Sequence, residues 1–377
     1  MSTVIDVQTS PARLLTFHLP QFHPIPENDA WWGKGFTEWT NVVKTRPRFP
    51  GHYQPHLPAD LGFYDLRLPE AREAQADLAR RYGIHGFCYY HYWFNGRRLL
   101  ERPVDEILAS GSPDYPFCLC WANEPWTRSW DGHNKNVILQ QEHSHEDDLA
   151  HIRHLANVFE DPRYIRIDGK PFFLVYNSPL LPDESRTIET WREEAHRLGI
   201  GDLYLGRVES HDSASWWKND ANFDVTIEFF PEWPTLGKRI FPFLSLPNID
   251  LPYLRNKGNS VYSYQTLMRN ALAKPDVDHE RFRCALVSWD NSARRASKAV
   301  IVQGSTPELY EQWLTELITR VQSKPPEQRV VFISSWNEWA EGNHLEPDAR
   351  WGLAYLEATR RALESVARSC EYSENPR

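Results

Sequence analysis

Eight short apolar runs recur along the 377 residues, and each one ends in polar, acidic or indole residues. They read LLTFH (14–18), IHGFCYY (84–90), PFCLCW (116–121), PFFLVY (171–176), LYLGRV (203–208), FDVTIEF (223–229), CALVSW (284–289) and VVFISS (330–335). The runs are nearly continuous rather than alternating, the pattern of strands buried on both faces. Helical periodicity fills most gaps, at Pro69–Tyr82, Asp183–Leu198, Thr306–Val321 and Trp351–Ala367. Gly199 closes the second helix, while Thr306-Pro307-Glu308 opens the third with an N-cap and a proline at the first helical position. Strand and helix alternating eight times predicts an α/β fold, a single (β/α)8 TIM barrel. A doubly wound open sheet is the alternative, but no glycine-rich phosphate loop follows any strand. The expected organisation is one catalytic domain over 1–377 with flexible ends at 1–13 and 369–377. Its long, aromatic-rich βα loops are 19–64 and 230–262.

Active sites in this fold lie at the C-terminal ends of the strands. Those ends carry His18 and Gln21, then His91, Tyr92 and Trp93, then Trp121, Asn123 and Glu124. Asn177, Glu209, Glu228, Trp289 and Asp290 follow, and the last end holds Trp336, Asn337 and Glu338. Glu124, Glu209, Glu228, Asp290 and Glu338 are expected to open onto one cleft. Indole faces stack on the CH faces of sugar rings, and acids and amides bind hydroxyls, so a carbohydrate substrate is expected. The 16 tryptophans suit that use.

Breaking a glycosidic bond takes one carboxyl to protonate the leaving oxygen and a second to handle charge or nucleophile. SSWNEWAEGNHLEPD (334–348) supplies Glu338 and Glu341 three positions apart, on one face if the loop is helical, with Glu346 nearby. The competing reading is a solvated loop or a set of caps for the last helix, weakened by Trp336 and Trp339. In WANEPWTRSWDG (121–132), Glu124 sits among Trp121, Trp126 and Trp130, and is a general acid, a hydroxyl binder or the partner of Arg128. The loop at 18–42, with Glu38 and Trp39, reads as a cleft wall or as an aromatic plug.

A net charge of −9 argues against nucleic acid as a partner, and Arg80-Arg81 and Arg294-Arg295 read as solvated faces. Five cysteines form no CxxC pair, and the four in apolar strand-like runs read as reduced core thiols. The N-terminus shows no signal-peptide pattern, and no stretch reaches roughly 18 apolar residues. No membrane span and a cytoplasmic location are therefore expected. No metal or cofactor is expected either. His18-Leu19-Pro20 lacks the His-x-His of metal-dependent barrel hydrolases, and His143, His145, His151 and His154 read as a solvated polar face.

WNEWAEGNHLEP (336–347), HLPQFHPIPENDAWWGKGFTEWTNV (18–42), YYHYWFNGRRLLERP (89–103) and WANEPWTRSWDG together resemble the WbsX-type family. Its members are described as polysaccharide-biosynthesis glycosyltransferases and are related to glycoside hydrolase family 99. The resemblance runs from about residue 14 to 360. It implies a barrel enzyme that retains anomeric configuration through a Glu-x-x-Glu pair. Glu338 would be the base that draws the proton from the sugar's own 2-hydroxyl, giving a 1,2-anhydro sugar. Glu341 would protonate the leaving oxygen and later deprotonate water. A metal-independent hydrolase is thus the leading reading. A glycosyltransferase of bacterial, O-antigen-like polysaccharide biosynthesis is the second, and a non-catalytic carbohydrate-binding barrel the third. With no Asp-x-Asp at a strand end, the cleft is expected to be acidic and aromatic, a poor host for two phosphates.

Overall fold

The computed structural model describes residues 10–128, 133–209, 223–240, 258–295 and 297–374. Nine parallel strand segments build a nearly closed barrel: β1 (Arg13–His18), β2 (Ile84–Phe94), β3 (Phe117–Trp121), β4 (Lys170–Val175), β5 (Tyr204–Glu209), β6 (Val225–Glu228), β7 (Arg281–Phe282), β8 (Cys284–Ala285) and β9 (Val330–Ile333). Each pairs with the next in chain order except β7 with β8, and β9 returns to β1 through Arg13↔Val330 and Thr16↔Ile333. The (β/α)8 expectation holds, with one seam.

That seam is the seventh run. Thr226↔Arg281 joins β7 to β6, and Cys284↔Phe332 joins β8 to β9. Between them Arg283 is buried, bonding Glu228 at 3.2 Å and Asp276 at 2.7 Å. Barrel pairing stops at Ala285, short of the expected 289. Trp289-Asp290 instead pairs antiparallel with Val300–Gln303, which also pairs with Ser260–Ser263. This small sheet stands above the barrel mouth. β2 likewise outruns its expected end at 90, and Tyr92 to Phe94 fold against Arg97–Leu99.

Helices α1 (Pro69–Arg81), α2 (Arg102–Ser110), α3 (His145–Phe159), α4 (Glu184–Arg197), α5 (Tyr264–Leu272), α6 (Pro307–Arg320) and α7 (Ala354–Glu374) alternate with the strands. Their caps follow the sequence: Asp183 accepts from Arg186 N, and Thr306 from Leu309 N. α7 continues past the expected 367 to Glu374. Aromatic side chains fill the barrel, with Phe17 against Phe332 at 5.1 Å and Tyr90 at 5.7 Å. Gly206 leaves room for Leu174, whose Cδ2 would lie 2.4 Å from an added Cβ. Cys88, Cys118, Cys120 and Cys284 are buried free thiols. Among the described residues no helix is long and apolar enough to cross a membrane.

Candidate active site

A cavity of about 910 Å³ opens at the C-terminal mouth of the barrel. Glu338 and Glu341 line it together with Gln21, Tyr92, Glu124, Trp126 and Trp289. Beyond β9 the chain makes a small hairpin in which Asn337 pairs with His344 and Glu338 with Asn343. Ser335 Oγ accepts from Glu338 N at 3.0 Å, and a 3-10 turn at Trp339–Glu341 links the two arms. Side chains three apart eclipse in such a turn, which brings the two carboxyls to one side. Gly342 ends the turn at φ 56°, where an added Cβ would lie 3.0 Å from Asp290 Cβ and 3.1 Å from its nitrogen.

Arg294 clamps the pair. Its Nη1 lies 2.7 Å from Glu341 Oε1, and its Nη2 lies 3.1 Å from Glu338 Oε2 and 2.9 Å from Glu38 Oε1. Glu38 is fully buried and also accepts from Ala340 N at 2.9 Å, tying the first βα loop to the turn. Burial, then the charge of Glu341, pushes Glu338 well above the usual carboxylate range, against the pull of Arg294. The two carboxyls are close enough to share one guanidinium, with Glu338 on Nη2 and Glu341 on Nη1. Burial raises Glu38 as well, opposed by Arg294 and the Ala340 amide. Burial works against the Arg294 charge too, but Glu341, Glu38 and Glu338 outweigh it and hold the guanidinium above its ordinary value. Three acids around one cation form a compact proton-sharing centre.

The remaining expected residues divide sharply. Glu124 lines the cavity and accepts from Asn177 Nδ2 at 2.9 Å, so Asn177 positions it rather than a sugar. Asn123 ties the same loop through its own bonds to the Asn177 backbone. Trp126 packs edge-on against Trp31 at 5.8 Å and Tyr92 at 5.2 Å. Trp130 lies outside the described residues, as do residues 241–257 of the 230–262 loop.

Several expectations are corrected. Glu209, Glu228 and Asp290 do not open onto this cavity. Glu209 bonds Arg281 at 2.9 Å, and Glu228 bonds Lys274 at 3.1 Å, in a network shared with Arg283 and Glu232. Asp290 bonds His52 at 2.5 Å and Gln54 at 2.8 Å, at the edge of a separate cavity of about 230 Å³. Successive strand residues face opposite sides of a sheet, so half of any row of strand ends looks toward the helices. His18 bonds Gln75 of α1, His91 bonds His151 of α3, and Trp93 bonds Asp147. Trp121 packs on His151 at 4.7 Å. His151 is therefore buried among indoles, not part of a solvated face.

Trp39 bonds Tyr64 O and packs 5.4 Å from Trp339, making the plug, while Gln21 and Trp32 of the same loop line the cavity. Trp336 is fully buried beside Phe87, and Asn337 bonds both backbone polar groups of Leu19. Glu346 is buried beneath the hairpin and accepts from Trp339, Gln75 and Tyr64 at 2.6, 2.7 and 2.9 Å. Burial lifts it to about 7 against those donors. It anchors the turn and does not line the cavity.

Arg294 and Glu38 were missed as site residues. Arg294 follows the seventh strand end by a few positions, within the βα loop where barrel chemistry collects, which was the available signal.

Among the described residues, His56, His344 and Asp348 form a group whose donor atoms could hold a metal. His344 Nδ1 bonds the Glu346 carbonyl, and its Nε2 lies 2.8 Å from His56 Nδ1 and 3.9 Å from Asp348. A cation there would have to replace the bond between the two rings.

A nearly closed α/β barrel with acids and aromatic rings at its C-terminal mouth is the framework of a carbohydrate-active enzyme. The chain belongs to the family described as glycosyltransferase WbsX, whose profile matches residues 14–359. It is 45% identical over 357 residues to the uncharacterized protein WxcX of Xanthomonas campestris pv. campestris, a match covering 94% of this chain and 50% of that protein. A second strain's WxcX is 45% identical over 362 residues, covering 96% and 51%. The chain thus spans about half the length of the curated relatives it matches. Among solved structures, the family 99 endo-alpha-mannosidase of Bacteroides thetaiotaomicron superposes with a TM-score of 0.57 at 15% identity, covering 95% of this chain and 98% of that one. A glycoside hydrolase-like protein superposes with a TM-score of 0.58 at 13% identity, covering 96% of both. Those likenesses establish the fold.

Proposed function

We propose that this chain is a retaining glycoside hydrolase acting on a poly- or oligosaccharide, with Glu338 and Glu341 as its catalytic pair. The observation that carries the reading is the pair itself: two neighbouring carboxyls, bridged by Arg294, on the wall of an aromatic cavity. Retaining enzymes with a carboxylate nucleophile hold their acids about 5–5.5 Å apart across the sugar. Carboxyls held on one guanidinium, on one wall of the cavity, suit attack by the sugar's own 2-hydroxyl instead.

The pair holds one proton, which the raised Glu338 draws to itself at rest. A bound sugar presents its 2-hydroxyl, a donor, to Glu338 and its glycosidic oxygen, an acceptor, to Glu341. The shared proton then passes from Glu338 to the neighbouring Glu341. Glu338 takes the 2-hydroxyl proton as that oxygen bonds to C1, and Glu341 gives its proton to the departing oxygen. Water opens the 1,2-anhydro sugar, losing a proton to Glu341 while Glu338 returns one to the 2-oxygen. Two inversions at C1 give retention. Arg294 offsets the pair's charge throughout. Gln21, Tyr92, Glu124, Trp126 and Trp289 are the proposed sugar contacts.

The second reading, a transferase of polysaccharide biosynthesis, draws on the family description and on cations that share the cavity wall, Arg239, Arg295 and Lys298. Proton NMR of the first-formed product, run with a chelator and with or without sugar nucleotides, tests both. A retained anomer without nucleotide is expected. An inverted anomer would rule out the anhydro route, and activity only with a sugar nucleotide would rule out hydrolysis.

A further inference from the structure

The cavity is not uniformly acidic. Besides its carboxylates, Arg239, Arg295 and Lys298 line the same space as Glu338 and Glu341. Within the cavity Arg294 is committed to Glu338, Glu341 and Glu38, and Asn177 holds Glu124. The other three cations form no ion pair among the described residues. Arg239 and Lys298 are exposed, and Arg295 is half-buried. They gather on the cavity of a chain whose net charge is −9.

Local contacts place them. Arg295 N donates to Asn291 O at 2.9 Å, and its carbonyl accepts from Arg48. Arg48 also bonds Asn259, whose side-chain oxygen accepts from Ala299 N at 3.0 Å. Lys298 adopts φ 56°, unusual for a side-chain-bearing residue, with its Cγ 3.8 Å from where a Cβ on Gly258 would lie. Arg239 Nε reaches Tyr262 OH at 3.4 Å. A neutral glycan gives such a wall nothing to neutralise, whereas an anion there gains from three like charges at once.

We propose that the saccharide bound in this cavity carries an anionic group, a carboxylate or a phosphate, held by Arg239, Arg295 and Lys298. The proposal rests on reading the cavity as a glycan site. It corrects the expectation of a poor host for phosphate, because Arg294-Arg295 is a cavity element rather than a solvated face. The anion has two sources. A uronate or phosphorylated residue of a glycan keeps the hydrolase reading, and a diphosphate leaving group converts it to a transferase.

The test is equilibrium binding of three probes, a uronate trisaccharide, a neutral trisaccharide and inorganic pyrophosphate, at 20-fold different salt concentrations. Each is measured on the intact chain and on Arg239→Gln/Arg295→Gln/Lys298→Gln, with circular dichroism and melting to verify folding. If the triple variant melts early, Lys298→Gln and Arg239→Gln alone carry the comparison, since both side chains are exposed. At least one anionic probe is expected to bind ten-fold or more tighter than the neutral sugar. That preference should fall about ten-fold with salt and again in the variant. Uronate preference supports both the inference and the hydrolase. Pyrophosphate preference alone supports the inference with phosphate as the anion, and turnover that then requires a sugar nucleotide overturns the hydrolase. Neutral and anionic probes bound equally, an anion preference unchanged in the variants, or no anion binding overturns the inference and leaves hydrolysis standing.

Discussion

Arg294 donates from Nη1 to Glu341 Oε1 at 2.7 Å, so the second member of the candidate pair is held by a half-buried guanidinium. The same side chain faces Glu338 and Glu38, and its removal would leave two buried acids without their cation. Breaking a buried pair in this way typically costs about 3–5 kcal/mol. Arg294→Gln should therefore lower both stability and turnover, whereas Glu38→Gln/Arg294→Gln should recover stability without activity. Denaturant melts and steady-state rates on the two variants check this. Normal turnover in Arg294→Gln would remove the clamp from the mechanism.

Glu338→Gln and Glu341→Gln should each cut turnover by about 10²–10⁴-fold, the usual contribution of a general acid or base. Their response to the leaving group should differ. An aryl glycoside that departs without a proton should partly rescue Glu341→Gln and leave Glu338→Gln inactive, because only Glu341 protonates the departing oxygen. Equal rescue of both would reverse or dissolve the assigned roles.

How far the sequence could be read follows from what each pattern encodes. Buried parallel strands announce themselves as unbroken apolar runs, so the barrel was legible from LLTFH to VVFISS. The seam at Arg283 was not, because it depends on Glu228 and Asp276 meeting one guanidinium across the chain. Glu338 and Glu341 could be singled out because acids between tryptophans are rare beside a buried strand. Glu209 and Glu228 looked equivalent to them by position, but side-chain alternation and Lys274 turned them into an ion-pair network. By sequence Arg294 reads, with Arg295, as surface charge. Nothing local distinguishes a solvated arginine from one folded over three acids.

Gly342 offers a test of geometry without touching a carboxyl. It adopts φ 56° against Asp290, so Gly342→Ala meets both backbone strain and a close contact. Strain of this kind costs of order 1–3 kcal/mol, and a shift of about 1 Å at a catalytic group can cost 10²-fold in rate. Gly352→Ala is the control, with φ 52° and nothing within 4 Å of an added Cβ. Both variants should melt lower, and only Gly342→Ala should lose about 10²-fold in turnover. Full activity in Gly342→Ala would show that the turn tolerates movement.

The buried histidines set the acid limit of the fold. Burial lowers His18, His56 and His91 to about 3, and His23 and His85 to about 4, against an ordinary value of 6.5. A lowered folded value means that the unfolded chain binds more protons between those limits. Stability from these groups is then complete above pH 6.5 and drains away as the pH falls toward 3. Each can cost up to about 1.4 kcal/mol per pH unit within its window. Buried acids pull the other way: Glu346, raised to about 7, Asp148, raised to about 6, and Glu38, Asp147, Glu232 and Glu338, all raised by burial, favour the fold as pH drops. Burial also lowers His143, His151, His154, His279 and His344, so the imidazoles outnumber the raised acids, and the denaturation midpoint should hold near neutrality and fall steeply between pH 6 and pH 5. His18→Asn should flatten that slope by about one proton, because its partner Gln75 remains available to an amide. Midpoints in urea across pH 5 to 8 give the proton count directly. A midpoint that rises on acidification would mean that the acids, not the imidazoles, govern the limb.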